Sequence, residues 1–257
     1  MASVLPGSST AVTAKPPTVV VPPATSRAKK PTVVLLHGLL RNSSHMEPLR
    51  RHISEATGWP THTIDYPSKA YTIKDLAIQV AEEIRELAGD EKNEVWAVTH
   101  SLGGIILRHV YGLENHGGIT FLGICMLAPP NSGSCVARRM RSFPLPPVSF
   151  VFSKLYGKAG MDLGCELEEG KGWPLPPQPC GVIAGTRSLD LRHPVTLFTN
   201  TFRFFSGPND GTVSVEETKL PQMTDFIEVH LQHSQVMWAP LVFKLVVRFL
   251  KTQRFRE

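Results

Sequence analysis

From Thr32 onward, short apolar runs alternate with stretches of helical period. Val33 to Leu36 form an uninterrupted apolar run of the kind shown by a strand buried on both faces. The pattern then predicts a helix over His45–Thr57, a strand over Thr61–Ile64, and a helix over Ile73–Leu87 with Leu76, Val80, Ile84 and Leu87 on one face. A strand over Val95–Val98 stops at Thr99–His100–Ser101, and Gly103, Gly104, Ile105, Ile106, Leu107 and Val110 open the next helix. Further strands are predicted over Phe121–Leu127, Val182–Ala184 and Phe226–Val229, with the last apolar run extending to Leu231, and a closing helix over Pro240–Leu250. Strands alternating with helices of this length predict an α/β fold, a mostly parallel central sheet with helices on both faces.

Ser132 to Pro179 break the rhythm. Pro144, Pro146, Pro147, Pro174, Pro176, Pro177 and Pro179 argue against long regular elements, whereas Phe143, Leu145, Phe150, Val151, Phe152, Leu155 and Tyr156 are too apolar for a solvated linker. The interval, residues 132–179, reads as an inserted cap over the mouth of the sheet, with an ordinary surface excursion as the alternative.

The 257 residues suit one large domain, residues 31–257, with a full core. No apolar run approaches the ~18 residues that span a bilayer. A net charge of +5 suggests an anionic partner until it is located. Residues 1–30 hold Lys15, Arg27, Lys29 and Lys30 and no acid, and without those four the chain has 23 basic against 22 acidic groups. The domain itself is therefore close to neutral, and nucleic acid is not an expected partner. The Ser-, Thr- and Pro-rich tail cannot bury enough apolar surface to fold alone, and reads either as disordered or as a plastid-like transit peptide. The compartment stays open on those two readings. Cys125, Cys135, Cys165 and Cys180 show no metal-ligand spacing and read as reduced thiols, with a Cys165–Cys180 staple as the alternative.

The chemistry concentrates at Ser101. A serine on a sharp strand-to-helix turn, followed by Leu102, Gly103 and Gly104, has the form of a nucleophile elbow, with Thr99 in place of the usual first glycine. A hydroxyl is a poor nucleophile until a base takes its proton, so an acid and a histidine must follow. Asp210 lies in the turn sequence Pro208–Asn209–Asp210–Gly211, and His233 follows the last strand run ahead of the final helix. His230, inside the strand run, reads as structural; His100 reads as shaping the pocket; His109 flanks the elbow; and Asp190 and Asp225 are fallback acids. A turn with no chemical role remains the alternative for Asp210.

Together, Val33–Leu39 (VVLLHGL), Asp65–Tyr66–Pro67–Ser68, Val98–Gly104 (VTHSLGG), Leu127–Gly133 (LAPPNSG) and Pro208–Val213 (PNDGTV) resemble the compact esterase/lipase branch of the α/β-hydrolase superfamily, similar to small bacterial triacylglycerol lipases. The resemblance covers roughly residues 32–250. It implies a Ser101–His233–Asp210 triad acting on an ester or thioester through an acyl-enzyme, and an oxyanion hole made by the main-chain N–H groups of Leu39 and Leu102. It implies no cofactor, and nothing in the chain matches the calcium site of some larger lipases, so no metal is expected. An apolar cap implies a hydrophobic acyl group, carried by a small-molecule or lipid ester. Two other functions share these residues: acyl transfer to an alcohol, and non-catalytic binding on the same fold. The final helix, with Leu241, Val242, Leu245, Val246 and Phe249 apolar and Lys244 and Arg248 on one stripe, reads as a core helix, with peripheral membrane contact as its alternative.

Overall fold

The computed structural model describes residues 30–89, 94–142, 144, 146–164, 172–189 and 194–257. The tail before Lys30, Cys165 and Asp190 lie outside them. In chain order the elements are β1 (Thr32–Leu36), α1 (Glu47–Thr57), β2 (Thr61–Ile64), α2 (Ile73–Ala88), β3 (Glu94–His100), α3 (Leu102–Tyr111), β4 (Thr120–Leu127), α4 (Cys135–Arg141), α5 (Pro146–Asp162), β5 (Cys180–Gly185), α6 (Pro194–Thr201), α7 (Val215–Thr218), β6 (Asp225–Val229) and α8 (Pro240–Thr252).

Among the described residues the strands form one six-stranded sheet of order β2-β1-β3-β4-β5-β6, every pair parallel. This is the α/β-hydrolase arrangement, and it follows from the chain pattern, because parallel neighbours need helical crossovers that cover both faces. Alternate residues of each strand feed opposite cores. Val34 and Leu36 pack with α2 and α3, whereas Val33 and Leu35 pack with α1 and α8. The apolar stripe of α8 (Val242, Val246, Phe249) is buried, and the Phe249 ring meets Trp96 edge-on at 6.2 Å. That stripe belongs to the core. Each fully buried side chain of this size contributes about 1.5–3 kcal/mol.

Local chemistry sets the boundaries. Thr72 starts α2 as its cap, accepting from the Asp75 N–H at 3.2 Å while Asp75 accepts from the Thr72 N–H. The helix expected from His45 begins instead as a 3-10 turn, Ser43–Met46, and becomes α-helical at Glu47, with Pro48 in the first turn where its missing N–H costs nothing.

The insertion departs from the sequence expectation. Its prolines do not exclude long elements: α5 runs 17 residues because Pro146 and Pro147 occupy its first turn. The helix is broken only at Gly157, whose φ of 66° is left-handed. The staple between cysteines is also overturned at its described end, since Cys180 is a free thiol buried in β5 against Met126. Burial pushes its pKa up to about 12, so it behaves as a core hydrophobe.

Candidate active site

β3 ends at His100, and Ser101 takes φ 51°, ψ −122° before α3 begins at Leu102. A non-glycine residue in that conformation is strained, and here the surroundings enforce it. The Ser101 N–H is held by the Leu127 carbonyl at 2.9 Å, and its own carbonyl accepts from the Gly104 N–H at 3.0 Å. The glycines let α3 settle against the sheet: a Cβ on Gly103 would stand 2.7 Å from the His37 carbonyl, and one on Gly104 would stand 3.1 Å from the Thr99 hydroxyl. Thr99 is thus accommodated at the first-glycine position, although its hydroxyl is buried without a partner.

Ser101, Asp210 and His233, predicted from separate segments, converge. Ser101 Oγ lies 2.9 Å from His233 Nε2, and His233 Nδ1 lies 2.7 Å from Asp210 Oδ2. Asp210 is almost wholly buried, and its other oxygen accepts from the Thr212 and Val213 N–H groups at 3.0 and 2.7 Å. Gly211 donates to Asn209 Oδ1, so the turn residues that make Pro208–Gly211 look like simple punctuation also aim the carboxylate. The loops are joined through main chain as well, the His233 N–H donating to the Asp210 carbonyl at 3.1 Å. This linear chain of hydrogen bonds can move a proton from a hydroxyl to an imidazole braced by a carboxylate.

The first glycine-bearing loop sits beside the serine. His37 is buried and stacks on Tyr66 at 4.0 Å, and the Tyr66 hydroxyl donates to the His37 carbonyl. Burial holds the Tyr66 pKa well above the ordinary phenol value, so the hydroxyl remains a donor. The Leu40 N–H donates to Ser68 Oγ at 3.2 Å, so the Asp65–Ser68 segment anchors the His37–Leu40 loop. Among the described residues, neither the Leu39 nor the Leu102 main-chain N–H donates to a protein acceptor. Leu102 is the first residue of α3, where the N–H has no intrahelical acceptor.

A cavity of about 230 Å³ opens over Ser101. It is lined by Leu39, His100, Ser101 and His233, with Val136 and Ala137 from α4 and Phe152, Tyr156 and Leu163 from α5 and the residues after it. The lining is predominantly apolar. The insertion is tied back by Arg108 of α3, which donates to the carbonyls of Asn131, Trp173 and Pro174 at 2.9, 3.0 and 2.6 Å. Burial draws its pKa down to about 10, and it still carries its charge at neutral pH.

The remaining sequence candidates are placed elsewhere or differently. His100 lines the cavity, and its Nε2–H donates to the His233 carbonyl at 3.0 Å. His109 lies on α3 outside the cavity lining. Asp225 accepts from the Phe226 and Phe255 N–H groups at the start of β6, a structural task. His230 is a correction: β6 ends at Val229, so His230 is exposed rather than a strand-core side chain. Sequence reasoning missed Arg41, Arg108 and Glu217. Arg108 was signalled by a charge at the centre of the apolar run Ile105–Val110, and Glu217 by the spacing Ser214-x-x-Glu217, a capping box that brings its carboxylate to the N–H of Cys135. Among the described residues, no group of three or more His, Cys, Asp or Glu side chains is arranged to hold a metal ion, and no helix is long and apolar enough to cross a membrane.

Residues 33–228 match the model of the alpha/beta hydrolase family, and the chain belongs to that family. Among solved structures it is similar to the lipase BlEst2 of Bacillus licheniformis in its mature form, with a TM-score of 0.67 at 20% identity over 87% of this chain and 92% of that one. It is also similar to the phospholipase PlaB of Legionella pneumophila, with a TM-score of 0.58 at 20% identity over 75% of this chain and 45% of that one. No curated protein matches the sequence.

Proposed function

We propose that the protein is a serine carboxylester hydrolase with Ser101 as nucleophile. His233 takes the Ser101 proton as Oγ attacks the ester carbonyl, and Asp210 orients the ring and stabilises the imidazolium. The developing oxyanion is received by the N–H groups of Leu39 and Leu102. Collapse breaks the bond to the alkoxide, which takes the proton from His233 Nε2, and water then repeats the sequence on the acyl-enzyme. These steps use side chains, main chain and water alone. The predominantly apolar cavity under α4 and α5 favours a hydrophobic acyl group.

The observation that carries this reading is the pair of contacts at 2.9 and 2.7 Å joining Ser101, His233 and Asp210 across more than a hundred residues of sequence. A fluorophosphonate probe should label the folded protein and fail to label Ser101→Ala, and acyl esters of graded chain length should be hydrolysed by the wild type only. An unlabelled, correctly folded wild type would leave a binding protein on a hydrolase fold. Acyl esters formed with an added alcohol, in place of free acid, would assign the triad to acyl transfer.

A further inference from the structure

The loop after β1 carries a cation that the steps above do not use. Leu40 takes a left-handed φ of 60°, which turns the chain so that Arg41 reaches the cavity lining, and Arg41 Nη2 donates to Ser234 Oγ at 2.8 Å. Ser234 directly follows His233, so the guanidinium is tethered to the loop that holds the imidazole. It is half-buried, and among the described residues it pairs with no carboxylate and makes no other hydrogen bond. Asp65 is engaged with the Ser43 N–H and His37 and does not line the cavity, and Asp210 is committed to His233 and to the Thr212 and Val213 N–H groups. A guanidinium offers five donors, and one is used here.

Position decides which part of a substrate would meet it. On the proposed mechanism the apolar side chains of α4 and α5 would receive the acyl chain, whereas the departing alkoxide must lie against His233 Nε2 to take its proton. The alcohol portion therefore passes beside His233 and Ser234, where Arg41 is tethered. A carbonyl or hydroxyl there would need no unpaired guanidinium; a phosphate or carboxylate matches its planar fork.

We infer that Arg41 determines specificity by receiving an anionic group, phosphate or carboxylate, on the alcohol side of the ester. The inference rests on the serine-hydrolase reading and deepens it: the substrate joins a hydrophobic acyl group to a negatively charged alcohol. Hydrolysis adds water across the ester and releases a free fatty or other apolar acid together with that anionic alcohol.

The test compares monoacyl glycerol with monoacyl glycerol phosphate, and the acyl ester of ethylene glycol with that of glycolate, at one acyl length. The wild type should favour an anionic member in kcat/KM by about tenfold or more. Arg41→Gln, whose amide can still donate to Ser234, should lower the anionic-to-neutral ratio at least to near unity, and Arg41→Lys should restore part of it. Which pair shows the preference separates phosphate from carboxylate. Fluorophosphonate labelling of each variant reports that Ser101 remains competent. A wild-type ratio near unity, or one unmoved by Arg41→Gln, overturns the role of Arg41 while leaving the hydrolase intact. Absence of any ester turnover together with absence of labelling overturns both.

Discussion

The Nε2–H of His100 is bonded to the main-chain carbonyl of His233 at 3.0 Å, so the residue before Ser101 fixes the backbone of the histidine whose ring faces the Ser101 hydroxyl. His100→Ala should displace the His233 loop and lower kcat about tenfold or more, since small misplacements of a base are costly. His100→Gln, which can offer an amide N–H in the same place, should recover most of the rate. Steady-state kinetics on the two variants checks this.

The same burial makes His100 acid-sensitive. Burial, and then the neighbouring His233, hold its pKa well below 6.5, and burial also lowers that of His37. A histidine whose folded pKa lies below its unfolded value contributes stability that is fully present above the unfolded pKa, and that is lost as pH falls from about 6.5 toward the folded value. The free energy of unfolding should therefore fall as pH is lowered below about 6.5, with a limiting slope of about 1.4 kcal/mol per pH unit for each such histidine, and the melting temperature should fall with it. His100→Gln should flatten that slope.

Asp210→Asn keeps an oxygen for the Thr212 and Val213 N–H groups but no longer favours the correct His233 tautomer. Ester turnover should drop by roughly 1,000- to 10,000-fold with little change in melting temperature. His233→Ala should abolish turnover, whereas His230→Ala, altering an exposed side chain, should leave both rate and stability near wild type.

The Thr99 hydroxyl is buried without a partner. Thr99→Val keeps the shape and removes the unsatisfied group, so it should raise stability by about 1 kcal/mol in denaturant unfolding.

Much of this architecture is legible in the chain because buried parallel strands are apolar runs and their helices carry a single apolar stripe. Thr61–Ile64 is read with its correct bounds, and the order serine, acid, histidine places three distant residues at one edge of the sheet. What escapes has physical reasons. Pro146 and Pro147 look like breakers because proline's effect depends on whether it stands in the first turn or the interior, and sequence alone does not say which. α7 is four residues long, too short to show a period. His230 and His233 differ in where β6 ends, a boundary of a few residues, and that boundary decides which ring points at Ser101. Arg41 and Arg108 carry the same charge, yet one lines the cavity and the other is sealed among carbonyls, a distinction made only by tertiary contacts.

Arg108→Met should cost about 2–4 kcal/mol, since the buried Asn131 carbonyl and the part-buried carbonyls of Trp173 and Pro174 lose their donor. The insertion should then become sensitive to limited proteolysis while the sheet stays intact.

Because that guanidinium grips Asn131 where the excursion departs and Trp173 with Pro174 where it returns, one side chain holds both of its ends. One position on the helix that follows the elbow therefore governs departure and return together.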